Sequence, residues 1–239
     1  MMLLIIKFLY FISIIYWLSV PFAQASQFEA GMRALERQHY STAMRAWLKL
    51  ADKGHAKAQN NIGHLYEEGL GVSQNYTKAL DWYKKAASAN LSEAEHNIGM
   101  LYSQGYGLEK NWREAVKWFR KAASKELPDS LYMLGLAFYQ GEGVKLDYSR
   151  AKTYFLKSAL LKYGPAQFMY SYMLQAGEGA KDPAPLKALI WAEIAKKNGQ
   201  SSASDISNTA KLLLTDQEID KVSVVVQKCL ASNLKTCPK

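Results

Sequence analysis

Apolar residues recur at helical spacing along most of the chain. Within the segment 92–102, SEAEHNIGMLY, four of them fall on one face of a helix: Ala94, Ile98, Leu101 and Tyr102. The segment 111–123, NWREAVKWFRKAA, carries a second stripe of aromatic and small residues. Gly105 is suited to end the first helix and Asn111 to cap the second. The pattern predicts two antiparallel helices joined by a compact loop.

This helical pair recurs with a period of 36 residues. A step of 36 from Gly63 reaches Gly99, then Gly135, then Ser171. A Gly-x-Gly loop recurs with it, at positions 69 and 71, 105 and 107, 141 and 143, and 177 and 179. One helix pair buries only part of its apolar surface, so four copies predict a repeat architecture in which successive pairs stack.

The first of these loops, Gly69-Leu70-Gly71, also suggests a phosphate-binding loop. The dinucleotide fingerprint requires a third glycine, but that position holds Gln74. The residues before the loop have helical rather than strand periodicity. A loop that occurs four times indicates a structural role.

The repeated pattern resembles the Sel1-like repeat, a relative of the tetratricopeptide repeat. In the first full copy the matching segments are NIGHLY (61–66), GLGV (69–72) and ALDWYKKAA (79–87). The fourth copy departs most, because Ser171 replaces the repeat glycine and Leu174 replaces the tyrosine. The resemblance implies an all-α fold, an α/α superhelical solenoid of stacked antiparallel helix pairs. It also implies a non-enzymatic adaptor.

The pattern and the resemblance together divide the chain into seven segments. These are a signal peptide (1–25), a tetratricopeptide-like capping hairpin (26–54), three Sel1-like repeats (55–90, 91–126 and 127–162), a divergent fourth repeat (163–199) and C-terminal capping helices (200–239). Terminal caps are expected because every solenoid must cover its end repeats. Thr215 and Glu218 have capping-box spacing at the start of the last predicted helix.

The first 25 residues have the composition of a secretory signal. Lys7 is their one charge, an apolar run follows over 8–20, and the triplet Ala23-Gln24-Ala25 resembles a cleavage site. The expected location is therefore periplasmic or secreted. A membrane-tethered scaffold is an alternative because Leu3–Ile6 precede Lys7, although the run is short of the roughly 20 residues of a transmembrane helix.

The charge of the chain bears on which partners it could bind. The chain has 30 Lys and Arg against 21 Asp and Glu, a net charge of +9, which serves solubility or attracts an anionic partner. Four lysines, Lys84, Lys85, Lys121 and Lys157, form a basic stripe on the second helices, either a plain outer surface or a contact for such a partner. No nucleic-acid-reading motif is present.

In an oxidising compartment, Cys229 and Cys237 are expected to form a disulfide.

The resemblance to tetratricopeptide repeats places the first helix of each pair on a concave groove that binds another protein or peptide. The residues it points inward are Asn60, Asn61, His64 and Glu67 in the first copy; His96, Asn97, Met100 and Ser103 in the second; Tyr132, Leu136 and Tyr139 in the third; and Phe168, Tyr172 and Gln175 in the fourth. In the relatives, Asn at the positions of Asn61 and Asn97 binds the ligand backbone. Alternatively, these Asn residues tie helices together and the aromatic residues belong to the core.

The sequence carries no pattern typical of catalysis, a metal site or a cofactor. The four histidines lack metal-ligand spacing, and no Gly-x-Ser-x-Gly nucleophile motif occurs. An alternative function is a hydrolase of cell-wall peptides or β-lactams, an activity linked to cysteine-rich secreted relatives. Those relatives carry a cysteine pair in each repeat, which this chain lacks. We therefore expect no enzyme activity.

Export predicts that the mature chain begins at Ser26. Edman sequencing of the protein recovered from its native compartment checks this. The variant Ala25→Phe is expected to block processing, because the cleavage site requires small residues. A wild-type chain that still carries Lys7 would instead support the membrane tether.

Overall fold

A computed structural model describes residues 25–239, and every helix or strand assigned within that range is an α-helix. Residues 25–36 form α1. The other helices are α2 (Tyr40–Ala51), α3 (Ala56–Glu68), α4 (Tyr76–Ser88), α5 (Ser92–Gln104), α6 (Trp112–Ala123), α7 (Pro128–Gln140), α8 (Tyr148–Leu160), α9 (Gly164–Ala176), α10 (Pro185–Lys197), α11 (Ala203–Lys211) and α12 (Asp216–Ala231). The expected all-α solenoid of paired helices is confirmed.

The predicted signal segment lies outside the described residues, except for Ala25 at its end. Among the helices that are described, none has the length and apolar character needed to cross a membrane.

The chain forms two compact units. Unit one contains the described residues up to 94 together with 106–108, and unit two contains 95–105 and 109–239. In unit one, α3 packs against α2 and α4. In unit two, consecutive helices from α6 to α11 pack against one another, and α12 packs on α10.

In the first three repeats, the second helix begins at a side-chain cap. Asn75, Asn111 and Asp147 each accept a hydrogen bond from the backbone N–H three residues later, at 2.9–3.1 Å. Each cap satisfies one of the N–H groups that a helix start leaves without an intrahelical partner. The predicted cap at Asn111 is confirmed.

The two loop glycines have separate structural tasks. The first, as at Gly69 and Gly177, ends the first helix in the left-handed conformation, with φ of 70° and 74°. The second allows the loop to touch the start of the preceding second helix. A Cβ on Gly71 would lie 2.6 Å from the Cβ of Tyr40, and one on Gly179 would lie 2.6 Å from the carbonyl oxygen of Tyr148. The loops therefore set the spacing between successive repeats.

The glycine inside each first helix lies against an aromatic ring of the second helix. A Cβ on Gly63, Gly99 or Gly135 would lie 2.5–2.6 Å from the ring of Tyr83, Phe119 or Phe155, respectively. All three rings are fully buried. Only a residue without a side chain allows the helices to approach this closely.

The fourth copy replaces both partners of this contact. Ser171 stands at the glycine position, and one extra residue in the preceding loop places Ala192 at the ring position. The fully buried ring of this copy is Trp191, which meets Tyr170 edge-on at 5.3 Å. The larger residue at the glycine position, Ser171, thus occurs together with a smaller residue at the ring position, Ala192.

The C-terminal helices cover α10. The indole N–H of Trp191 donates to the carbonyl oxygen of Pro238 at 2.8 Å, which holds the C-terminal segment against α10. Cys229 and Cys237 are both buried, with Cα atoms 4.9 Å apart, a separation that allows a disulfide. The predicted capping box is confirmed, because the backbone N–H of Thr215 donates to Glu218 at 2.9 Å.

The glycine–ring contact predicts that Gly135→Ala destabilises the fold. The added methyl group would overlap the Phe155 ring, and overpacking costs about 1–3 kcal/mol. That cost is expected to exceed the gain of roughly 1 kcal/mol in helix propensity. Urea unfolding measures the difference.

Ser171→Ala is the matched control, because Ala192 stands in place of the ring in that repeat. The urea midpoint of this variant is expected to change little. A Gly135→Ala variant as stable as the wild type would show that the helices separate without cost.

Candidate partner-binding face

Except for Asn61 and Asn97, which share a fourth position, the predicted groove residues occupy three equivalent positions on each first helix. In unit two these positions form one set: His96, Met100 and Ser103 on α5; Tyr132, Leu136 and Tyr139 on α7; and Phe168, Tyr172 and Gln175 on α9. We call these nine residues the unit-two face. The corresponding residues of unit one are Asn60, His64 and Glu67 on α3.

In unit one, part of the predicted set joins neighbouring helices. The hydroxyl of Tyr83 donates to Glu67 Oε2 at 2.5 Å. Burial raises the pKa of the Glu67 carboxyl, although this hydrogen bond opposes the rise. The Asn61 side-chain N–H contacts the sulfur of Met32 in α1 at 3.4 Å. His64 is exposed and Asn60 is half-buried.

In unit two, the α5 residues lie mainly inside the repeat stack. His96 Nδ1 lies 2.9 Å from the hydroxyl of Ser130 in α7, and its ring lies 5.5 Å from that of Phe119. Burial lowers the pKa of His96, against the opposing effect of Asp129. Met100 packs against the cluster around Phe119, and Asn97 is half-buried. The α5 part of the face is therefore largely structural.

The α7 residues of the face belong to an aromatic cluster. The ring of Tyr132 lies 5.6 Å from Phe155 and 5.4 Å from Tyr163. Burial, followed by the charge of Asp129, raises the pKa of Tyr163 to about 12, so its phenol stays neutral at physiological pH. Burial also raises the pKa of Tyr132.

On α9, Phe168 is half-buried against the core, whereas Tyr172 is 39% exposed. The face therefore joins rings anchored in the core to one ring that is open to solvent.

Glu178, which the sequence analysis does not single out, lies close to Tyr139. The hydroxyl of Tyr139 donates to Glu178 Oε1 at 3.4 Å. Burial, together with Tyr172 and Glu178, raises the pKa of Tyr139. Within the described chain, Glu178 Oε2 and Gln175 Oε1 are buried oxygens with no hydrogen-bond donor. In the sequence, Glu178 is the middle residue of the fourth Gly-x-Gly loop, and this position differs between copies. That variation is the signal by which the sequence could have identified Glu178.

The recurring lysines of the second helices lie over aromatic rings. The ammonium of Lys85 is 4.0 Å from the Trp82 ring centroid, that of Lys121 is 3.9 Å from Trp118, and that of Lys157 is 5.9 Å from Tyr154. These cation–π contacts cover half-buried rings of the second helices. Three of the four lysines of the predicted basic stripe, Lys85, Lys121 and Lys157, therefore have intramolecular contacts.

One feature outside the unit-two face is a cavity. A cavity of about 390 Å³ between α10, α11 and α12 has an apolar wall that includes Leu189 and Val222, with Lys196 and Lys211 at its rim. Among the described residues, no group of three or more His, Cys, Asp or Glu side chains is arranged to hold a metal ion.

Comparison with known proteins gives a consistent family assignment. The Sel1 repeat family model matches residues 56–91, 92–127, 128–163 and 164–200. A Sel1 repeat protein from Oxalobacter formigenes is 34% identical, with a TM-score of 0.68, over 80% of this chain and 82% of that one. No curated protein matches the sequence.

Two other solved structures share the fold. The protein c5321, a protective antigen of uropathogenic Escherichia coli with an SLR fold, is 28% identical with a TM-score of 0.78, over 88% of this chain. The match covers 46% of c5321, so this chain spans about half its length. The immunity protein PA5088 of Pseudomonas aeruginosa is 18% identical with a TM-score of 0.52, over 89% of this chain and 88% of that one.

The buried contact of Glu67 with Tyr83 predicts a pH-dependent stability. A carboxyl whose pKa is raised by folding stabilises the native state below its unfolded pKa, and this contribution is lost as pH rises through the folded pKa. Glu67→Gln removes the titration, so its stability relative to the wild type is expected to increase from pH 4 to pH 7. Urea unfolding at several pH values measures this change.

Asp81→Asn, which removes an exposed carboxylate of α4, is the control for the loss of one negative charge. A pH-independent difference for Glu67→Gln would contradict the prediction.

Proposed function

Because the chain belongs to the Sel1 repeat family, we propose that it is a non-enzymatic scaffold that binds another protein on the unit-two face. Sel1 repeats commonly mediate protein–protein interaction. The observation that carries the proposal is the exposed Tyr172, whose neighbours Tyr139 and Phe168 pack against the core. Rigid aromatic side chains supply a large contact area at a low entropic cost, as in the binding hot spots of other interfaces.

A role without chemistry is supported by the partners of the reactive side chains. His96 lies against Ser130 and Phe119, and Glu67 accepts from Tyr83. A general base must reach the proton that it removes, whereas these groups are directed at neighbouring helices. The face offers shape and hydrogen bonds on a rigid support.

We further propose that the protein acts in the periplasm or is secreted. The support is the signal-like composition of residues 1–25, together with a cysteine pair suited to an oxidising compartment. The net charge of +9 would speed encounter with an anionic partner.

The scaffold proposal predicts that Tyr172→Ala weakens capture of the partner. An exposed aromatic residue at the centre of an interface contributes at least ~1.4 kcal/mol, so about tenfold weaker binding is expected. Crosslinking and pull-down from the native compartment measure recovery, and thermal unfolding verifies that the variant is folded.

Tyr106→Ala is the matched control. Tyr106 is also exposed, at 44%, but lies in a unit-one loop against Tyr76. Equal recovery by both variants would show that the partner binds elsewhere. Steady turnover of nitrocefin by the purified chain would contradict a non-enzymatic role and support the hydrolase.

A further inference from the structure

Two oxygen atoms at the C-terminal end of α9 are buried without a donor. One is Oε1 of Gln175 on the last turn of the helix, and the other is Oε2 of Glu178 in the loop that follows. Leaving a buried acceptor unsatisfied costs free energy, and the cost is larger for a charged group. Such atoms are rare in native proteins, and each calls for an explanation.

Comparison of the repeats explains why Gln175 lacks a donor. Glu67 holds the equivalent position in the first copy, and there the hydroxyl of Tyr83 supplies the hydrogen bond. In the fourth copy Ala192 replaces that tyrosine, so the donor is absent while the acceptor is kept. The Glu178 carboxylate receives one long bond, 3.4 Å from the Tyr139 hydroxyl, on its other oxygen.

Three features of the cluster favour a positively charged donor. Glu178 contributes a negative charge, and the C-terminal end of α9 adds the partial negative charge of the helix dipole. The rings of Tyr139 and Tyr172 provide π-faces that attract cations. The ammonium of Lys152 is near this loop, but it donates to the carbonyl oxygen of Gly179 at 2.7 Å and leaves Glu178 Oε2 without a partner.

A planar guanidinium fits this set better than a compact ammonium. It is more weakly hydrated, it stacks on aromatic rings, and it presents five donors to several acceptors at once. Gln175 and Glu178 are half-buried and Tyr172 is 39% exposed, so the cluster borders solvent although the two oxygens themselves are covered.

We propose that the cluster of Tyr139, Tyr172, Gln175 and Glu178 binds the guanidinium of an arginine side chain presented by the partner protein. The inference rests on the proposed scaffold function and gives the partner one chemical requirement. The arginine stacks on the tyrosines. The half-buried side chains of Gln175 and Glu178 turn toward it so that their oxygens accept its N–H groups, and Glu178 balances its charge.

The test uses blocked single amino acids as probes on the full folded chain. Nα-acetyl-arginine N-methylamide is titrated at constant ionic strength while backbone amide NMR shifts are followed for residues 172–180. The lysine analogue tests the ammonium, and the citrulline analogue has nearly the same shape as arginine without its charge. Saturable shifts are expected for arginine, with binding at least tenfold weaker for citrulline and clearly weaker for lysine.

Glu178→Gln removes the charge and keeps the shape, so arginine binding is expected to weaken at least tenfold. Glu142→Gln is the matched control, because Glu142 holds the same loop position in the preceding repeat and its oxygens are not among the buried acceptors without a donor. This control should bind arginine as the wild type does. The comparison of arginine with citrulline on the wild-type chain requires no variant and stands if Glu178→Gln fails to fold.

Three results would overturn the inference. These are the absence of saturable shifts, equal binding of arginine and citrulline or lysine, and arginine binding unchanged by Glu178→Gln. The pull-down separates this inference from the scaffold proposal. If Glu178→Gln still captures the partner at the wild-type level and Tyr172→Ala does not, the scaffold function stands and the arginine site falls.

Discussion

The contact between a glycine of the first helix and an aromatic ring of the second helix is the constraint on which the first three repeats depend. Gly63, Gly99 and Gly135 leave space for fully buried rings, and a Cβ at any of them would overlap the ring. Protein interiors are close-packed, so this one approach sets how the two helices face each other. The outward positions of the first helix follow from it.

Close packing also determines the structure of the loops and of the outer surface. The second loop glycine brings each loop onto the start of the preceding helix, as Gly71 does at Tyr40. On the second helices, lysines three residues after an aromatic residue cover its ring, as Lys121 covers Trp118. Residue types that suggest a phosphate loop and an anion-binding stripe are thus explained by packing within the solenoid.

The fourth repeat is where the pattern is relaxed, and the candidate site lies there. Replacing the glycine–ring pair by Ser171 and Ala192 removes the phenol that serves Glu67 in the first copy. The acceptor at Gln175 is kept, and Glu178 is placed beside it, close to Tyr139. In the first two copies Glu67, Asn61 and His96 contact neighbouring helices, whereas the acceptors of the fourth copy are the ones that we propose bind a partner. Divergence within a regular repeat is thus where specificity is expected.

The sequence by itself determined the helices, their period and their ends. Hydrophobic spacing, the caps at Asn111 and Thr215 and the glycine that ends the first helix of each repeat act within a few residues, and so they can be read locally. It also placed Tyr139 and Tyr172 on first helices. Only the tertiary structure decided which face residues are engaged inside the fold, because their partners lie far along the chain. His96 meets Ser130 34 residues later, and Tyr139 meets Glu178 39 residues later. Burial of the oxygens at Gln175 and Glu178 likewise results from packing between helices, which no local pattern encodes.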